Sequence, residues 1–149
     1  MRALLQRVKQ ASVSIDGSVH NSIEHGLLIF LGVTHLDTSD AALYLAQRCA
    51  SLRIFEDQLG KMNLSVKDVQ GSTLVISQFT LYADTRKGNR PSFTDAAQPE
   101  HARLLYEEFI RFLKLEVGDT NVVTGNFGAM MQIGLVNDGP VTVMVESKQ

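Results

Sequence analysis

The longest apolar block in the chain is GLLIFLGV, Gly26 to Val33. It is far shorter than the ~20 residues needed to cross a bilayer. It also lacks the polar alternation of a strand with one wet face. The block therefore predicts a central strand covered on both sides. TLVI, Thr73 to Ile76, reads as a second buried strand, and it runs into the polar cluster Ser77, Gln78 and Thr80.

Around these two runs the pattern is β-rich with two helices. RALLQRV and ASVSI read as strands joined around Lys9 and Gln10, and Asp16-Gly17 is a hairpin turn signal. Thr38, Ser39 and Asp40 offer an N-terminal cap for a helix in which Ala42, Leu45, Cys49 and Leu52 recur at helical spacing. Cys49 is thereby assigned to core packing rather than to nucleophilic chemistry. Pro99 suits the first turn of a second helix whose apolar stripe is Ala102, Leu105, Tyr106, Phe109, Phe112 and Leu113, with Gly118 as its end. TNVVTG, MQIGLVN and VTVMVE read as three further strands. The expected fold is α+β: one domain over residues 1–149, a mostly antiparallel sheet or open β-barrel with two main helices.

A chain of 149 residues buries enough surface to fold without a staple. Its 14 Lys and Arg against 16 Asp and Glu leave a formal charge of -2, so any contact with phosphate has to be local. A single cysteine excludes an internal disulfide and a cysteine-rich zinc site. MRALLQRVKQ has no continuous apolar core of the signal-peptide kind. A cytoplasmic location without membrane contact is expected.

Familiar catalytic patterns are missing. His20, His25, His35 and His101 are scattered, no Gly-x-Ser-x-Gly elbow occurs, and LGKMNLS lacks the upstream glycine of a phosphate loop. Two stretches remain that a plain core does not explain. One is SQFT, Ser77 to Thr80. The other is NDGPVT, Asn137 to Thr142, where a Gly-Pro pair interrupts what reads as two adjacent strands and where an ordinary hairpin turn is the simplest structural account.

With these two motifs the chain closely resembles the D-aminoacyl-tRNA deacylases of the standard bacterial and eukaryotic type, whose signatures are Ser-Gln-x-Thr and Asn-x-Gly-Pro-Val-Thr. The likeness extends through MRALLQRV, RIFEDQLGKMNLSV, KGNRPSF and TGNFGAMMQIGLVNDGPVT, nearly the whole chain in order. One departure is Met130 in FGAMM, where many relatives carry Asp; it bears on local pocket detail only.

The resemblance implies hydrolysis of the ester that links a D-amino acid to the terminal adenosine of tRNA, assisted by the tRNA's own 2′-hydroxyl; no cofactor is expected, and metal dependence is left open, with none expected because the sequence shows no ligand cluster. It assigns catalysis to Ser77, Gln78, Phe79 and Thr80. Backbone N–H groups of Phe79 and Thr80 would stabilise the oxyanion, and the Thr80 hydroxyl is open between a structural bond, a minor part and an older nucleophile reading. Chiral selection is assigned to Gly139 and Pro140, joined by a cis peptide where composition alone predicts trans. They would reach into the partner's site in a homodimer and exclude L-residues, while glycine, including glycine mischarged on alanine tRNA, would pass. Arg7 either bonds the carbonyls of that element or is a surface residue. Met130 and Met131 either line the adenosine pocket or fill core. Arg86, Lys87 and Arg90, beside Phe93, are expected to contact tRNA, with a solvated loop as the alternative. A non-catalytic nucleic-acid-binding module and a small-ester hydrolase using Thr80 or Ser77 are the rival classes.

Overall fold

The computed structural model describes residues 1–148. Strand β1 (Arg2–Ile15) is followed by β2 (Ser18–Ile23), β3 (Gly26–Gly32), helix α1 (Ser39–Ser51), β4 (Phe55–Glu56), β5 (Met62–Leu64) and β6 (Ser72–Ser77). A short 3-10 turn (Phe79–Tyr82), helix α2 (Pro99–Val117), β7 (Val122–Thr124) and β8 (Gln132–Glu146) complete the order. The main sheet runs β2-β1-β3-β6-β7, with β8 on the other edge of β1, and β4 and β5 form a separate small ribbon.

The expected α+β domain with two main helices and an open, barrel-like sheet is what forms, but the sheet is mixed. The β3–β6 and β6–β7 pairs are parallel, and the pairs made by β1 are antiparallel. The sheet rolls until β2 meets β7, where the Asn21 side-chain amide donates to the Thr124 carbonyl at 2.7 Å.

Alternation along β3 explains its unbroken hydrophobicity. Leu27, Ile29 and Leu31 face the layer of α1 and α2, while Leu28 and Phe30 point into the roll with Val8, Val13, Leu74 and Ile76. Helix α2 starts on Pro99, buries Leu105, Tyr106, Phe109 and Leu113 against the sheet, and ends at Gly118. Helix α1 begins after Thr38, which makes no side-chain cap bond, and buries Cys49 fully.

Three readings are corrected. Residues 2–15 form one strand, because Lys9 and Gln10 lie at a bend with irregular pairing to β8 rather than at a break. MQIGLVN and VTVMVE belong to one strand, β8, which stays on β1 at both ends, so NDGPVT is not a hairpin turn. Between the pairs Gln6–Thr142 and Val8–Asn137, β1 advances two residues and β8 five. Asp138 to Val141 therefore stand off the ladder as an arch over Arg7. The Gly139–Pro140 peptide within it is cis, as the resemblance implies and against the trans form that composition alone predicts. The ribbon of β4 and β5 has no counterpart in the sequence reading; the Asp57 carboxylate holds its turn by accepting from the amides of Leu59 and Lys61 and from the Asn63 side chain.

Phe109 is fully buried between α2 and the sheet. Phe109→Ala is expected to cost about 3–5 kcal/mol of stability, read as a lower denaturant midpoint with an unchanged slope.

Candidate active site

Strand β6 brings the first motif to its place. Its ladder to β3 ends at the Leu31–Ser77 pair, and the Gln78 amide then donates to the Leu31 carbonyl at 2.8 Å. The chain next turns tightly through Phe79–Tyr82. The leading N–H groups of a helical turn have no partner within it, so the Phe79 and Thr80 amides are its unused donors. The turn is clamped from several sides. The Arg2 guanidinium donates to the Leu81 carbonyl at 3.0 Å and to Glu146 at 2.6 Å, and it lies 4.6 Å from the centre of the Tyr82 ring. Gly32 lets the turn sit close: a Cβ there would lie 3.1 Å from the Gln78 carbonyl oxygen and from Leu81 Cβ. The Gln78 side-chain amide donates to the Thr80 hydroxyl.

Ser77, Gln78 and Phe79 border a cleft of about 700 Å³ between the end of β6, the start of α2 and the 127–131 segment. None of its eighteen lining residues carries an acid, base, thiol or imidazole. Its inner wall includes Ile76 and Met131. Its mouth carries Phe79 and Phe93, edge to face at 5.1 Å, and Met130, which is 90% exposed. Core filling is thus excluded for Met130, whereas the half-buried Met131 both lines the cleft and packs on the inner core. A second cleft of about 800 Å³, behind the 3-10 turn, is lined by Arg2, Tyr82 and Glu146 among others and contains none of the motif residues.

The basic loop after the turn is pinned at its base by paired backbone bonds between Asp84 and Ser92. Arg86 folds back on Asp84 through two side-chain bonds of 2.8 Å. Those bonds and the Arg86 amide hold the Asp84 carboxyl well below the usual carboxylate range. Lys87 and Arg90 are exposed, and among the described residues neither is in an ion pair.

Arg7, Gly139 and Pro140 do not line the cleft of their own chain. Arg7 is no surface residue: it is 5% exposed, and its guanidinium donates to the carbonyls of Asp138 (3.2 Å) and Ile54 (2.8 Å). It thus grips the arch at Asp138 and not at the Gly139 or Pro140 carbonyl. Gly139 has a φ of 121°, and a Cβ there would lie 3.0 Å from an Arg7 nitrogen. Gly139 and Pro140 are exposed on top. Sequence reasoning passed over Arg2, Gly32 and Asp138, whose roles arise from contacts across strands and have no local signal. No cluster of three or more potential metal ligands, and no helix long and apolar enough to cross a membrane, exists among the described residues.

The site so defined is a polar strand end over an apolar cleft, lined by no ionisable side chain, on a rolled α+β sheet. Residues 4–146 match the family described as D-Tyr-tRNA(Tyr) deacylase, and the chain belongs to that family. It is 57% identical over 148 residues to the D-aminoacyl-tRNA deacylase of Halalkalibacterium halodurans, covering 99% of this chain and 100% of the relative. It is 54% identical, with the same coverage, to that of Bacillus cereus. Among solved structures, the c-Myc DNA unwinding element binding protein matches 100% of both chains at 38% identity and a TM-score of 0.95. A probable eukaryotic D-amino acid tRNA deacylase shares the fold, with a TM-score of 0.85 at 16% identity.

Gly32→Ala is expected to push the 3-10 turn outward by a few tenths of an ångström and to lower the deacylation rate roughly tenfold, with the melting temperature little changed. Thermal unfolding beside single-turnover rates checks both halves.

Proposed function

We propose that this chain hydrolyses the ester between a D-amino acid and the terminal adenosine of tRNA, using the substrate's 2′-hydroxyl in place of a protein base. The observation that carries the reading is the absence of any titratable side chain lining the cleft at the SQFT motif. Water adds to the ester carbonyl, the bond to the 3′-oxygen breaks, and that oxygen leaves with a proton. An aminoacyl ester is already activated, and a neighbouring hydroxyl is present at high effective concentration. The protein contributes position and charge stabilisation. The Phe79 and Thr80 amides face the developing oxyanion, where one donor is typically worth about 2.7–4 kcal/mol. Ser77 and Gln78 hold the turn and the adenosine, against an apolar wall that includes Met131. The Thr80 hydroxyl accepts a hydrogen bond from Gln78 and has no base among the cleft residues, which supports a structural part over a nucleophilic one.

Chirality is read by Gly139 and Pro140 of a second copy, whose carbonyls accept the substrate's amino group and clash with an L side chain, while glycine passes. The arch is exposed and does not line its own chain's cleft, as delivery to a partner requires. Among the described residues strand β8 pairs with β1 alone, and it carries the exposed apolar residues Leu135, Val136 and Met144. A free edge of 15 residues is a template for association. Lys87 and Arg90, with Arg86 braced on Asp84, track phosphates of the acceptor end, and Phe93 offers a face for an unpaired base. One structural relative is named for DNA binding; a binding-only role here leaves the uncharged cleft and the arch without a use.

With D-tyrosyl-tRNA and L-tyrosyl-tRNA, each with and without the terminal 2′-hydroxyl, only the D-ester bearing that hydroxyl is expected to be cleaved, and Thr80→Ala keeps most of the rate. Cleavage of the 2′-deoxy ester by the wild type together with a dead Thr80→Ala makes Thr80 the nucleophile, and retention of both esters intact supports binding alone. In a pH series the rate should rise through about pH 6.5 without the break that a histidine base imposes.

A further inference from the structure

The arch that carries Gly139 and Pro140 lies in the middle of a β-ladder and interrupts it. Where four residues of β8 oppose Arg7 alone, backbone groups lose their cross-strand partners, and buried backbone groups left unpaired are costly. The Asn137 side chain supplies what the ladder lacks. Its Nδ2 donates at 3.0 Å to the Arg7 carbonyl across the strand and at 3.0 Å to the Val141 carbonyl at the far foot of the arch. Its Oδ1 accepts from the Thr142 hydroxyl at 3.3 Å, and that hydroxyl in turn accepts from Gln6 Nε2 at 3.3 Å. An amide has two donors on nitrogen and acceptor sites on oxygen only. The Thr142 hydroxyl therefore sets which way the amide faces, and both its donors go to carbonyls.

One side chain thus ties together the two feet of the arch and the strand beneath it. From below, the Arg7 guanidinium reaches the Asp138 carbonyl at 3.2 Å and its carboxylate at 3.3 Å. Asn137 and Arg7 hold different points: Arg7 fixes the arch's rising limb, and Asn137 fixes the span between its feet. The exposed Gly139 and Pro140 make no such bonds of their own among the described residues.

We infer that Asn137, oriented by Thr142, is a positioning residue for chiral selection: it sets the span of the arch and hence how tightly the Gly139 and Pro140 carbonyls exclude an L side chain. The inference rests on the proposed D-specific deacylase function. With the span held, the carbonyls stand at one height, and a clash of a few tenths of an ångström is enforced. With the span released, they retreat, and the L-ester gains access while the amino group of the D-ester is held less well. The proposed oxyanion donors lie in the 3-10 turn after β6 and are untouched.

Asn137→Asp keeps the size of the side chain but removes both donors and sets a carboxylate against two carbonyls. The ratio of kcat/KM for D-tyrosyl-tRNA over L-tyrosyl-tRNA is expected to fall at least tenfold. Hydrogen exchange at the amides of residues 138, 139 and 141 should speed up in the same variant. Thr142→Val, which removes the bond that orients the amide together with the one from Gln6 but leaves both Asn137 donors in place, should lower the ratio by a smaller factor, about threefold, and it is the deciding variant if Asn137→Asp does not fold. An unchanged ratio in a folded Asn137→Asp, or in Thr142→Val where that one is read, overturns the inference. Faster exchange with an unchanged ratio shows a brace without a part in selection and also overturns it. A wild type that does not distinguish D from L instead overturns the functional reading on which the inference rests.

Discussion

Strand β1 is hydrogen-bonded along both edges, and the rest of the molecule hangs on those two ladders. One edge receives β3 beside its first half and β2 beside its second; the other receives β8 along nearly its whole length. Because β3 then carries β6, and β6 carries β7, every strand of the main sheet is registered, directly or at one or two removes, to β1. A register slip of one residue would turn its buried side chains to the wrong face, so both core layers constrain the same register. The two motif stretches lie where this pairing stops or is skipped: SQFT from the last rung between β3 and β6 onward, and NDGPVT where the rungs between β1 and β8 are skipped.

That placement frees peptide groups in a way ordinary sheet structure does not. In mid-sheet, every N–H and C=O is consumed by a neighbour. At the end of β6 the Phe79 and Thr80 amides have no backbone partner among the described residues, and at the arch Gly139 and Pro140 are exposed off the ladder. The chemistry proposed for the site uses these peptide dipoles, which do not titrate and need no reorganisation as charge develops. It agrees with the lack of acids and bases around the cleft.

Elements whose signal is local were legible in the sequence. The unbroken apolarity of residues 26–33 described a strand buried twice over, and the Pro99-to-Gly118 stripe described α2 to within a residue of its ends. What depended on partners far away in sequence was not. Lys9 and Gln10, two polar residues in succession, look like a break, yet they are exposed positions on a strand that continues through them. The Gly-Pro pair looks like the tip of a hairpin because prolines usually sit at turns, and only the continuous backing of β1 keeps β8 a single strand. Parallel pairing of β6 with both β3 and β7 leaves no mark on composition. The motif residues could be singled out as candidates, but what each touches could not. Arg7 looked as much like a surface residue as a support until its guanidinium was seen buried under Asp138.

Cys49 shows what such a core does to a reactive group. It is the only cysteine in the chain, it lies on α1 fully out of solvent, and burial pushes its thiol up to about 12, with the charge of Arg48 only partly opposing the rise. Since only the thiolate attacks oxidants and alkylating agents, the native chain is chemically silent at its one sulfhydryl. The same atom becomes reactive once α1 lifts from the sheet, so the rate at which a thiol reagent consumes Cys49 is a clock for the opening of the helical layer.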